Sequence, residues 1–162
     1  MRGLTGKRGF TLIELLVALA IVALLATVAL PLAQVVQWRT KESELKTNLR
    51  VIRQALDTYK AAADAGIIDK GAGTSGYPPT LDTLAEGVQR SAALGYSAQA
   101  FVVLRKVPRD PFFEDSSVPN AATWQTRSYS SKADNPQPGD DVFDVSSKSS
   151  KQAIDGTRYS DW

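Results

Sequence analysis

The sequence predicts an α+β fold in which a long N-terminal α-helix, membrane-spanning in its first half, packs in its second half on a small antiparallel β-sheet. The stretch 10–33 carries a single charge, at Glu14, and a helix needs about 20 apolar residues to cross a bilayer. Farther along, apolar residues recur at helical spacing on one face: Leu45, Leu49, Ile52, Leu56, Tyr59 and Ala63. Beyond position 64, short β-branched and aromatic runs alternate with glycine- and proline-rich turns.

The residues before the apolar stretch form a basic leader. It carries Arg2, Lys7 and Arg8 and no acid, which predicts a cytoplasmic leader with the rest of the chain outside. The most cleavable junction, between Gly9 and Phe10, precedes the apolar segment, whereas a secretory signal peptide is cut after it. A cut there would keep the helix in the mature protein. An uncleaved signal anchor is the alternative interpretation.

Glu14 is the informative residue of the apolar stretch. A carboxylate within the membrane costs roughly 2.5–3.5 kcal/mol on insertion scales, so it normally has a partner. Cleavage before Phe10 would create an α-amino group that the Glu14 carboxylate of a neighbouring subunit could pair with. The alternative is that Glu14 lies at headgroup depth near the membrane face.

The second half of the helix, predicted to end near Ala63, is amphipathic. Glu42 is placed to pair with Lys46 one turn later. Pro31 lacks the amide hydrogen that a helix interior needs, so we expect the helix to kink or melt locally there.

The remaining elements are predicted to be short. Thr80 can cap a helix over 81–89, and the run 100–104 fits either a strand or a buried helix turn. The sequence further predicts a loop over 66–79, a proline stop at 107–111, strands over 127–131 and 142–147 with a connector at 135–139, and an exposed serine-rich loop over 146–150.

Composition excludes several classes of function. The 162 residues include no cysteine and no histidine, which removes cysteine–histidine and serine–histidine–aspartate catalysis. No glycine-rich phosphate loop is present. The leader holds three of the 19 basic residues and none of the 17 acids, so the remaining side chains sum to −1. Neither an enzyme nor a nucleic-acid-binding protein is expected.

The residues 7–16, Lys-Arg-Gly-Phe-Thr-Leu-Ile-Glu-Leu-Leu, resemble the processing site of the type IV pilin-like superfamily. The resemblance implies that a prepilin peptidase cuts between Gly9 and Phe10 and that Phe10 is N-methylated. It implies assembly roles for Phe10, Glu14 and Pro31. The implied organisation is a cleaved leader (1–9), a transmembrane and filament-core helix (10–33), its amphipathic continuation (34–64) and an exported globular domain (65–162).

Several downstream segments resemble the major, G-type pseudopilin of type II secretion systems. They are Tyr-Pro-Pro-Thr-Leu at 77–81, Val-Pro-Arg-Asp-Pro-Phe at 107–112, and Trp124, Tyr129, Gly139, 143–145 and 155–162. The resemblance implies a homopolymeric periplasmic pseudopilus that drives protein export. It also implies an inner-membrane location with a periplasmic C-terminal domain. The implied partners are minor pseudopilins, the prepilin peptidase and an inner-membrane platform with a cytoplasmic ATPase. A type IV pilin or minor pilin of a surface fibre is the alternative.

The pseudopilin resemblance also implies a structural calcium ion in the C-terminal loop. The chain offers five candidate ligands there: Asp140, Asp141, Asp144, Asp155 and Asp161. Lys148 and Lys151, however, stand where acids are usual in that family, which weakens a divalent-ion site. Solvated loop aspartates are the alternative.

Overall fold

The structure is a computed structural model that describes residues 9–92, 95 and 100–162. The chain divides into two units, Met1–Arg39 and Thr40–Trp162, which are described separately. Helix α1 covers Leu12–Asp64 and therefore contributes to both units. The second unit also contains α2 (Thr83–Glu86), β1 (Val88–Gln89), β2 (Ala100–Phe101), β3 (Trp124–Arg127), β4 (Asp144–Ser147) and short 3-10 helices at Asn120–Thr123 and Tyr159–Asp161.

The apolar stripe predicted on the second half of α1 forms the core of the second unit. All six predicted residues are buried: Leu45, Leu49, Ile52, Leu56, Tyr59 and Ala63. They pack with side chains from the rest of the unit, including Leu84, Trp124 and Val145. Their 3.6-residue period gives the helix one continuous face to bury. The predicted α+β fold with a long N-terminal helix is confirmed, and its antiparallel strands form two two-stranded sheets in place of the single small sheet that was predicted.

The predicted pair between Glu42 and Lys46 is wrong. The Glu42 carboxylate instead accepts hydrogen bonds from the Ile154 amide at 2.8 Å and the Tyr159 hydroxyl at 2.9 Å. The Lys46 ammonium group lies 4.2 Å from the centre of the Trp162 ring. Both side chains therefore hold the C-terminal segment on α1. Residues that fold back onto the helix compete with the side chain one turn away for the same charged group, and here they take its place.

The predicted helix over 81–89 is shorter in the structure. It covers only Thr83–Glu86, although the Thr80 hydroxyl does accept a hydrogen bond from the Thr83 amide at 3.4 Å. Gly87 ends the helix with a φ of +83°, and a Cβ there would lie 2.7 Å from the Val102 side chain. Residues Val88–Gln89 then pair antiparallel with Ala100–Phe101, so the run 100–104 begins as a strand.

The second antiparallel pair consists of β3 and β4, in the register Trp124↔Ser147 to Arg127↔Asp144. The first strand therefore overlaps the predicted 127–131 only at Arg127, and the second begins two residues after the predicted start. The predicted exposed loop over 146–150 is also wrong at its start, because Ser147 belongs to β4 and is fully buried. The predicted strand over 142–147 included Ser147, but the sequence did not predict its burial, because a buried serine needs a specific polar partner, which no periodicity reveals.

That polar partner is Asp110, which is itself fully buried. Its carboxylate accepts hydrogen bonds from the Ser147 hydroxyl at 2.6 Å and from the Phe112 amide at 2.8 Å. Its own amide donates to the Thr123 hydroxyl at 3.2 Å. The proline-flanked segment that the sequence marks only as a stop thus carries a polar centre joining β4 to the residues before β3.

Candidate assembly site and C-terminal anchor

The start of α1 contains the residues that the processing motif singles out. Gly9 and Phe10 precede the helix, and among the described residues other than its chain neighbours no atom lies within 4 Å of the position that a Cβ on Gly9 would take. Thr11 caps the helix, because its hydroxyl accepts a hydrogen bond from the Glu14 amide at 3.3 Å. Threonine followed by glutamate three residues later is a capping box, a signal that the sequence contained and our interpretation of Glu14 did not use.

The capping geometry places the Glu14 side chain in the first turn of the helix. A carboxylate is favoured there, since the exposed amides of a helix N-terminus carry partial positive charge. The same turn lies next to the α-amino group that a cut before Phe10 would create. Phe10 and Glu14 thus lie in one short segment at the start of α1, and pairing of the amine with the carboxylate of a neighbouring subunit stays a prediction.

The first unit presents an apolar surface along the helix. Phe10 is 79% exposed. More than half of the surface is also exposed for most of the large side chains that follow: Leu12, Ile13, Leu15, Leu16, Val17, Leu19, Ile21, Val22, Leu24, Leu25, Leu32 and Val36. The Thr27 hydroxyl is satisfied within the helix by the Leu24 carbonyl at 2.7 Å. Among the described residues, α1 is the one helix long and apolar enough to cross a membrane. An apolar surface of this extent requires lipid or other protein to cover it.

The backbone of α1 remains helical through Pro31. Local melting at this position is therefore not seen, and the predicted kink stays a prediction. Domain boundaries at 9, 33 and 64, and the roles of Gly9, Phe10, Glu14 and Pro31, likewise remain predictions from the motif.

The five candidate calcium ligands are spread over separate contacts. Asp141 accepts hydrogen bonds from the Ser75 hydroxyl and the Tyr129 amide. Asp140 and Asp141 both line a groove of about 590 Å³. Asp161 accepts from the Ser160 hydroxyl at 3.0 Å. Nowhere in the described ranges do three acidic side chains come close enough to hold one metal ion. As arranged, the side chains do not fit the implied site, and calcium binding stays a prediction.

Asp144 is already neutralised by basic side chains. Arg53 on α1 binds its Oδ1 at 2.8 Å, and the Arg127 guanidinium lies 3.5 Å from its Oδ2. Arg53 also donates to the main-chain oxygen atoms of Val145 and Trp162, at 3.0 and 2.6 Å. The side chain proposed as a metal ligand thus fixes strand β4 to the helix through arginine.

Tyr159 anchors the C-terminal segment. Its ring is fully buried, stacks on Phe112 with centroids 4.1 Å apart and meets Trp162 edge-on at 5.0 Å. Its hydroxyl donates to Glu42 on α1. The sequence analysis missed the contact between Tyr159 and Glu42, because a contact between positions 42 and 159 leaves no local pattern.

We expect alkaline pH to weaken the second unit through Tyr159. Burial, and next the hydrogen bond to Glu42, raise the pKa of Tyr159 above its ordinary value of 10.0. The unfolded chain therefore loses this proton first, so the stabilisation is complete below about pH 10 and declines above it. Unfolding temperatures of the wild type should fall above about pH 10.

Tyr159→Phe should flatten this decline, although only in part, because burial also raises the pKa of Tyr59 and Tyr77. Tyr129→Phe is the matched control, since this ring is 59% exposed. Equal pH dependence in Tyr159→Phe and the wild type would contradict the assignment.

Comparison with known proteins finds two similarities. Residues 4–30 match the family described as the prokaryotic N-terminal methylation motif. The chain is also 44% identical over 58 residues to the type IV major pilin protein PilA of Myxococcus xanthus (strain DK1622). That alignment covers 36% of this chain and 26% of the relative, or about a quarter of its length. No solved structure matches the chain.

The motif, the similarity to a major pilin and the long helix followed by small antiparallel sheets support the type IV pilin-like superfamily. The chain is thus similar to type IV pilins in its N-terminal methylation motif and over the 58 aligned residues. Proteins of this class polymerise into filaments and are processed by a prepilin peptidase. The N-terminal motif and the apolar helix suggest a membrane-anchored protein.

Proposed function

We propose that this chain is a structural subunit of a type II secretion pseudopilus, which polymerises through its N-terminal helix to drive protein export across the outer membrane. The observation that carries the filament role is the exposed apolar surface of α1, which begins at the processing motif. The same helix buries its apolar stripe in the second unit, so the two halves of one helix have different partners. The first half needs lipid before assembly and other subunits after it.

The proposal includes the location and the machinery. Before assembly the subunit is a single-pass inner-membrane protein whose C-terminal domain lies in the periplasm, as the basic leader predicts. A prepilin peptidase removes residues 1–9 and methylates Phe10. Mechanical work comes from a cytoplasmic ATPase acting through an inner-membrane platform, and minor pseudopilins complete the filament. The subunit itself needs no catalytic group.

The secretion role is supported by the resemblance of the downstream segments to the G-type pseudopilin. Two of those segments carry the fold of the second unit. The segment 107–112 supplies buried Asp110, and the Pro108 carbonyl accepts the indole hydrogen bond of Trp124 at 2.8 Å. The segment 155–162 supplies the Tyr159 anchor. Each of the two segments therefore contributes a fully buried residue, Asp110 or Tyr159, to the second unit.

A surface type IV pilus is the second candidate. It is favoured by the similarity to a type IV major pilin, although that alignment covers 36% of this chain. In this role the same helix-driven polymer would serve adhesion, motility or DNA uptake.

Deletion of the gene separates the two roles. The pseudopilus proposal predicts that secreted proteins disappear from the medium while surface fibres and twitching motility remain. A plasmid copy of the gene should restore secretion. Loss of fibres or motility with unchanged secretion would reject secretion in favour of the surface pilus. Loss of neither would reject both roles.

Replacing Gly9 with alanine should block maturation. The described part of the chain leaves the space around Gly9 open, so alanine clashes with none of the described residues and we expect the effect to arise in the peptidase. Mass spectrometry of the membrane-extracted protein should find residues 1–9 retained and Phe10 unmethylated in more than about 90% of the molecules, a tenfold change in processing corresponding to about 1.4 kcal/mol. Gly6→Ala, in the same leader, is the matched control. Normal cleavage of Gly9→Ala would argue against this junction.

A further inference from the structure

We propose that two lysine ammonium groups, and not a calcium ion, hold the C-terminal loop, residues 148–158, in place. The order of this loop therefore does not depend on a divalent cation. The inference goes beyond the proposed function, because it concerns the folded subunit whatever filament it joins. It follows from where the two lysines bind, where the acids bind and how the loop itself is closed.

Both lysines reach the same neighbouring segment. The Lys148 ammonium group donates to the Ala122 carbonyl at 2.7 Å, and the Lys151 ammonium group lies 2.6 Å from a Glu114 carboxylate oxygen. Carbonyl and carboxylate oxygens are the ligands that calcium prefers. Here the two lysine ammonium groups on the loop bind one oxygen of each kind. They therefore tie residues 148 and 151 to the segment 114–122.

Two of the five candidate acids, Asp144 and Asp155, are already paired. Asp144 is bound by two arginines. Asp155 accepts hydrogen bonds from the hydroxyl and the amide of Thr157 at 2.6 and 3.0 Å, and these bonds lower its pKa. Since each carboxylate has a nearby donor, bringing them together around a metal would require breaking those contacts.

The loop is also closed by its own backbone. The Ala153 amide donates to the Thr157 carbonyl at 2.8 Å, and the Gly156 amide donates to the Ala153 carbonyl at 2.9 Å. Gly156 has a φ of +86°, which only glycine adopts without strain. At the base of the loop, the Tyr159 amide donates to the Lys151 carbonyl at 3.3 Å. The turn therefore needs no ion to bring its two ends together.

Hydrogen exchange on the purified full chain in detergent micelles tests the proposal. Amides of residues 148–158 should exchange at the same rate in EGTA and in millimolar calcium. The double variant Lys148→Met/Lys151→Met should exchange about two- to tenfold faster over the same residues, as expected for two exposed charge contacts. Calcium should not restore the protection.

The control is Lys132→Met, because Lys132 is exposed in a different loop and its ammonium group has no hydrogen-bond or ion-pair partner within the described ranges. It should leave exchange of residues 148–158 unchanged. Faster exchange of the wild type in EGTA than in calcium would overturn the proposal. So would a double variant that exchanges as slowly as the wild type. Both readouts concern the dispersed subunit, so a failure of the proposed filament function would not change them.

Discussion

Glu14→Ala is expected to abolish filament assembly while leaving removal of the leader largely intact. The carboxylate is placed in the first turn of α1, beside the amine that processing would create, and an acid at membrane depth normally requires a charged partner. Alanine removes the carboxylate but keeps the backbone amide of residue 14, which donates to the Thr11 hydroxyl. The helix start is therefore preserved, and a defect would report on the contact between subunits.

The measurement compares sheared filaments with mature subunit retained in membranes. Assembled protein should fall more than about tenfold, which corresponds to about 1.4 kcal/mol of assembly free energy, and mature subunit should accumulate in the membrane. Thr27→Ala is the matched control, because Thr27 is a polar residue of the same helix whose hydroxyl bonds only to the Leu24 carbonyl. Filaments of normal yield from Glu14→Ala would reject the pairing of amine and carboxylate.

What could be predicted from the sequence was set by the length of each pattern. The amphipathic half of α1 shows its period over several turns, so all six predicted core residues are buried. Strands of two to four residues are too short to show a period. Their bounds were consequently displaced, and α2 ended early at Gly87, where a positive φ and a close approach to Val102 stop the helix.

The site residues follow the same rule. Gly9, Phe10, Thr11 and Glu14 lie in one short motif, and their chemistry could be interpreted locally. The partner of Glu42 could not, because the helical spacing favours Lys46 while the folded chain supplies Tyr159 from 117 positions away. Buried Asp110 was likewise invisible, since its partner Ser147 lies 37 positions further on.

Asp110→Ala is expected to destabilise the second unit more than any surface substitution of an acid. The change leaves the Ser147 hydroxyl and the Phe112 amide without an acceptor in the interior. An unsatisfied buried polar group costs about 1–3 kcal/mol, so the free energy of unfolding should fall by about 2–5 kcal/mol. Denaturant titration of the full chain in micelles, followed by the fluorescence of buried Trp124, measures this loss.

Asp115→Ala is the control that separates the effect of burial from the effect of losing a local hydrogen bond between a carboxylate and an amide. The Asp115 carboxylate also accepts a hydrogen bond from an amide two residues later, that of Ser117 at 2.9 Å, together with the Ser117 hydroxyl at 2.6 Å, but Asp115 is exposed. Water can replace those bonds, and the loss should stay below about 1 kcal/mol. Ser147→Ala, which removes one donor and leaves one oxygen of Asp110 unpaired, should fall between the two. If Asp110→Ala costs no more than Asp115→Ala, the carboxylate stabilises only its own turn, and β4 is held to the segment 107–112 by apolar packing alone.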